Sequence, residues 1–125
     1  MEEISRQLLY QRLRNRVIEL LEMYSSLENI ASFGAYEMIN KVDDWLPLDY
    51  EKAPKVFTET EKEVIAEFIG LVSSASDATH NDTSNLEWLK ASVEWNRLFE
   101  FAQKALTVFS ERGRFSEKVE EALRT

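Results

Sequence analysis

Along the first thirty or so residues Leu9, Leu13, Val17, Leu20, Tyr24, Leu27 and Ala31 recur at steps of four and three, alternating from Leu13 onward. Projected at about 100° per residue they fall in one stripe, with Gln11, Asn15, Glu19, Glu22 and Ser26 opposite, and this spacing predicts one long amphipathic helix. The pattern breaks at its N-terminal end. Ile4 and Leu8 lie on the otherwise polar side, and Arg6 occupies the stripe one heptad before Leu13. Those first turns therefore face something other than the main core.

The same reading predicts a second helix from Ala35 to Trp45 or Leu46, burying Ala35, Met38, Ile39, Val42 and Trp45 against the first, with Ser32 or Gly34 marking the break between them. Pro47 and Pro54 then enclose a segment that cannot form a regular helix and reads as an ordered loop fastened by Leu48, Tyr50, Val56 and Phe57. Thr58-Glu59-Thr60-Glu61 is a capping box, the sharpest helix start in the chain. The helix it opens should run to about Thr79, with Val64, Ile65, Phe68, Leu71, Val72 and Ala75 inward and Glu59, Glu63, Glu67, Gly70 and Ser74 outward. Residues 80–85 are short and polar and predict a turn, followed by a second capping box from Ser84 to Glu87. Residues 85–112 read either as one helix or as a short one ending near Lys90 with another starting at Ser92; the break is preferred. Trp95, Leu98, Phe99, Ala102, Ala105, Leu106 and Phe109 share its broad apolar face, and Gly113 is the natural stop. The tail from Ser116 can make two more helical turns, aligning Val119 with Leu123.

Apolar spacing of three or four leaves no strand candidate, so the expected fold is all-α. The architecture expected is an antiparallel helical bundle of about four main helices with short accessory helices, one domain spanning residues 1–125. The Glu87-Trp88 and Glu94-Trp95 pairs, seven residues apart, reflect helix periodicity rather than a duplicated unit.

Charge adds what periodicity cannot. The chain has a formal net charge of −8, yet residues 1–16 hold Arg6, Arg12, Arg14 and Arg16 against Glu2 and Glu3, a balance of +2 that leaves −10 for the rest. From Glu37 to Asp82 there are eleven Asp or Glu against four Lys. Such a field repels phosphate backbones and attracts a basic partner, so nucleic-acid binding is not expected. No apolar run approaches the roughly 20 residues of a membrane span, there is no secretory leader pattern, and the chain has no cysteine. No membrane association and a cytoplasmic address are the expectations.

Candidate chemistry is sparse. Without cysteine, with His80 as the sole histidine and with Gly34, Gly70 and Gly113 far apart, neither a nucleophile–base pair nor a phosphate-cradling loop can be assembled. Asp77, His80 and Asp82 could contribute to a mixed metal site, but a solvated loop with His80 near a helix C-terminus accounts for them more simply. No catalytic residue, metal or cofactor is assigned.

Two surfaces remain. Asp43 and Asp44 sit near a helix C-terminus, where the backbone dipole disfavours negative charge by about 0.3–1 kcal/mol, and with Trp45, Asp49, Tyr50 and Glu51 they interleave carboxylates with aromatic anchors. This stretch is assigned to binding a basic protein partner. Ile4, Arg6, Leu8, Arg12 and Arg16 are assigned to self-association, the expected homodimer, with docking of the chain's own tail through Val119 and Leu123 as the competing explanation. The expected function is thus that of a small acidic, non-enzymatic protein acting through protein–protein interaction. A neutralising partner of a basic protein (an immunity protein, antitoxin or nucleic-acid mimic) and a carboxylate/His metal-dependent or small-molecule enzyme are the alternatives.

Overall fold

The apolar spacing translates into helices and no strand among the described residues, 5–46 and 55–122 of the computed structural model. Six helices follow one another among them: α1 Arg6–Tyr24, α2 Leu27–Phe33, α3 Ala35–Trp45, α4 Glu59–Asp77, α5 Leu86–Ala91 and α6 Val93–Ser110. The described chain is all-α. Four helices are long, α2 and α5 short, and the packing runs α4 on α6, α6 on α1, α1 on α3 and α2 on α5. The loop expected between Pro47 and Pro54 lies outside the described residues, although Val56 and Phe57 just beyond it are buried.

The first helix is not continuous. It breaks at Ser25 and Ser26, because the Ser25 hydroxyl donates back to the Glu22 carbonyl at 2.6 Å and the extended Ser26 accepts from the Asn29 N–H as a new N-cap. Adjacent serines offer the backbone local hydrogen bonds that compete with helix propagation. The stripe survives the break in part: Leu27 of α2 is buried as Tyr24 is and Ala31 is half-buried, whereas Leu9 at the stripe's start is 46% exposed.

The capping box at Thr58 closes as expected, with the Thr58 hydroxyl accepting from Glu61 N–H and the Glu61 carboxylate accepting from Thr58 N–H. The later one forms differently: Asn85, not Ser84, caps α5 by accepting from Trp88 N–H. The loop before α5 docks on the start of α3, where Ala35 N–H donates to the Thr83 carbonyl and Tyr36 N–H to the Asp82 carboxylate. Gly34 permits this approach, because its φ of +94° suits glycine alone and a Cβ there would sit 3.2 Å from the Ser84 hydroxyl. The break at Ser92 is present: its hydroxyl caps α6 by accepting from Trp95 N–H.

Where α1, α4 and α6 converge, Trp95 is fully buried, stacks on Tyr24 at 6.5 Å between ring centroids and donates its indole N–H to the Thr79 hydroxyl at 2.9 Å. Tyr24 in turn meets Phe68 edge-on and donates its hydroxyl to the Met38 carbonyl at 2.6 Å, tying α1 to α3. Burial, and secondarily the nearby Asp43 carboxylate, push the Tyr24 phenol well above its usual pKa, so it remains a donor at every ordinary pH.

Candidate interaction surfaces

The most polar part of the interior lies under the C-terminal segment. Arg14 sits on the face of α1 shared with Tyr10, Val17, Ile18 and Leu21, so it is carried inward among apolar side chains and has no solvent exposure. A guanidinium there needs every donor paired. Its Nη1 and Nη2 grip both oxygens of the buried Glu61 at 2.7 and 2.9 Å, and the remaining N–H groups donate to the carbonyls of Val56, Phe109 and Gly113. Arg112 adds a second guanidinium to the same Glu61 oxygen at 2.9 Å and donates to the Lys55 and Val56 carbonyls. The Phe115 ring covers the cluster, 4.5 Å from the Arg14 guanidinium and 5.0 Å from that of Arg112. Burial alone would raise the Glu61 pKa, but the two arginines and the Thr58 N–H outweigh it and hold the carboxyl below its usual range.

From Gly113 onward the chain turns back along α1 as a non-helical clasp. The turns expected from Ser116 do not form, although the Ser116 hydroxyl accepts from the Lys118 and Val119 N–H groups as a helix cap would. Gln11 prevents them. Its amide donates to the Ser116 and Val119 carbonyls, the groups a continuing helix would have used, while its oxygen accepts from Glu121 N–H. Asn15 reads Phe115 on both sides, donating to its carbonyl at 2.8 Å and accepting from its N–H at 3.0 Å. Gln11 and Asn15 thus lie buried on the face whose sequence marks it as solvent-facing. Gln7, Arg12 and Arg16 complete the clasp through the Glu121 carbonyl, the Glu117 carbonyl and the Glu117 carboxylate, and Arg114 pairs with Glu19 and Glu22 at its start. Beside this start a groove of about 280 Å³ opens between α1 and α6 over Ile18, Leu106 and Phe109.

Of the residues assigned to self-association, Arg12 and Arg16 therefore contact the chain's own tail, Arg6 is exposed and Leu8 is half-buried. Ile4 and Leu123 lie outside the described residues. Val119 is 63% exposed and makes no apolar contact of that kind; the described part of the tail docks through polar groups and the Phe115 ring. The four N-terminal arginines are not a free basic patch.

The acidic surface is partly described. Asp43 and Asp44 are both exposed in the last turn of α3. Half-buried Trp45 lies beside them, and the Lys41 ammonium stands 4.8 Å from the centroids of both its ring and that of Phe33, itself 44% exposed. Glu37, one turn earlier, faces Lys41 at 3.8 Å. Asp49, Tyr50 and Glu51 lie outside the described residues.

Asp77, His80 and Asp82 are not brought together as ligands: the Asp82 carboxylate caps α3, and the His80 carbonyl accepts from the Tyr36 hydroxyl. Among the described residues no three metal-ligating side chains converge, and no helix is long and apolar enough to cross a membrane. No protein-family model matches this chain, and no curated protein and no solved structure matches it.

Proposed function

We propose that the protein acts by binding a basic protein partner through the C-terminal end of α3. The observation that carries this reading is the pair Asp43 and Asp44, exposed together at a helix end that disfavours negative charge and followed directly by half-buried Trp45. A cationic side chain arriving there relieves the unfavourable charge–dipole term; the Trp45 and Phe33 rings are taken up by the chain's own Lys41, so recognition rests on the two carboxylates. The sequence between Glu37 and Asp82 has the same sign, with eleven acids against four lysines, and apart from the buried, arginine-paired Glu61 these acids favour encounter with a positive partner.

The test is capture of a partner from the native cell at low salt, repeated with the Asp43→Lys/Asp44→Lys variant. Both side chains are exposed, so the variant should fold with stability within about 0.5 kcal/mol of the parent, which thermal melting checks. Loss of a basic partner by the variant, and by the parent as salt rises, is the expected result. Capture that ignores both changes removes the proposal.

A further inference from the structure

We infer that Lys41 is the residue that keeps the end of α3 acidic, an inference that rests on the partner-binding role proposed above: an aromatic clamp holds its ammonium away from Asp44. Helix α3 carries Lys41 as its single cation against Glu37, Asp43 and Asp44. Asp44 lies three residues after Lys41, a spacing at which ion pairs form on a helix surface, and that pair would cancel half of the charge the two aspartates offer. The structure sends the ammonium the other way. It stands 4.8 Å from the centroids of both the Phe33 and Trp45 rings and 3.8 Å from the Glu37 carboxylate, on a side chain only 15% exposed.

Three effects favour this placement. Helical side chains lean toward the N-terminus, so the Lys41 stem runs back toward Glu37 while the Trp45 ring falls over it from the following turn. Glutamate before lysine is the better order for a helical ion pair, and lysine before aspartate is the reverse. The two ring faces then add the attraction of a cation for an aromatic quadrupole. Asp43 and Asp44 are left exposed with no basic residue in the last turn of α3. Phe33 belongs to the end of α2, so the packing of α2 against α3 supplies one wall of the clamp and thereby sets the charge presented by the other end of α3.

Nuclear magnetic resonance of the full chain, alone and with a tetra-arginine peptide at low salt, tests this. In the parent, ring currents should move the Lys41 Hε protons upfield of those of the other lysines. Phe33 is 44% exposed, so Phe33→Leu should fold as the parent does, and it removes one wall of the clamp. The Asp44 carboxyl carbon should then respond to Lys41→Met in the Phe33→Leu background and not in the parent. Peptide binding should weaken roughly 2- to 5-fold in Phe33→Leu, the scale of one exposed ion pair, and Lys41→Met should restore it there while changing the parent less. Lys41 protons without the upfield shift, or Lys41→Met effects equal in the two backgrounds, overturn the role of Lys41 and leave the acidic surface standing. A parent that does not bind the peptide removes the acidic surface as a binding site, and the role of Lys41 with it.

Discussion

Glu61→Ala is expected to lower the unfolding free energy by about 3–5 kcal/mol. The carboxylate is 1% exposed and accepts from Arg14, Arg112 and Thr58 N–H. Removing it strands the Arg14 guanidinium with no solvent to replace its partner, because α1 holds that side chain among Tyr10, Val17, Ile18 and Phe109. The Thr58 capping box loses one of its two bonds in the same step. Chemical denaturation of the parent and variant measures the difference, and a loss below about 1 kcal/mol would mean that the cluster relaxes to water. Arg14→Met with Glu61→Leu, which removes both charges and keeps apolar volume, should recover much of the stability lost in Glu61→Ala.

The same carboxylate makes stability depend on pH in a defined direction. Its pKa is lower in the folded chain than in the unfolded one, so its contribution is complete above the ordinary glutamate value of about 4.3 and is lost as pH falls through the folded value. Glu61→Gln should be less stable than the parent at neutral pH and should show a shallower decline between neutral and strongly acid conditions. Parallel declines in the two proteins would assign the acid sensitivity to other carboxylates.

Trp95→Ala is the second large effect, expected at about 3–5 kcal/mol. Three losses coincide: the buried indole leaves a cavity where α1, α4 and α6 meet, Tyr24 loses its stacked neighbour, and the Thr79 hydroxyl loses a donor. Trp95→Phe separates them, since it retains most of the apolar volume and abolishes the hydrogen bond, and should cost about 1–2 kcal/mol. Equal losses for the two variants would show that the hydrogen bond, not the packing, dominates.

How much of this was legible differs between elements. Helix α3 and the start of α4 are readable because local chemistry decides them: Gly34 interrupts the chain, and the Thr58–Glu61 box satisfies its own backbone within four residues. The break at Ser25–Ser26 carried a local signal too, two adjacent serines, but the continuous apolar stripe across them masked it. At Ser84–Asn85 two capping residues compete for one helix start, and the docking of the 80–85 loop on α3 settles which is used. The ionic cluster also had a readable trace, since Arg14 interrupts an apolar series at Tyr10, Val17, Ile18 and Leu21. That pattern implies a buried cation without naming its partner. The acidic surface at Asp43 and Asp44 is readable as exposed charge at a helix end, whereas the aromatic bracket that Phe33 and Trp45 make around Lys41 depends on how α2 packs against α3.

By itself the sequence determined the all-α class, most helix bounds and the faces that α3, α4 and α6 bury, because hydrophobic periodicity, capping hydrogen bonds and glycine conformation act over a few residues; in α1 it misplaced Leu9, which is 46% exposed, as well as Gln11 and Asn15. Only the tertiary structure decided that Glu61 closes on Arg14 across 47 positions and that Gln11 and Asn15 are buried beneath residues 113–121. Polar side chains are ambiguous in sequence: the same amide is a solvated surface group or a buried main-chain receptor depending on whether a distant segment arrives to satisfy it. Here that segment is the chain's own C-terminal stretch, and its hydrogen bonds with α1 turn a polar face into an interior one.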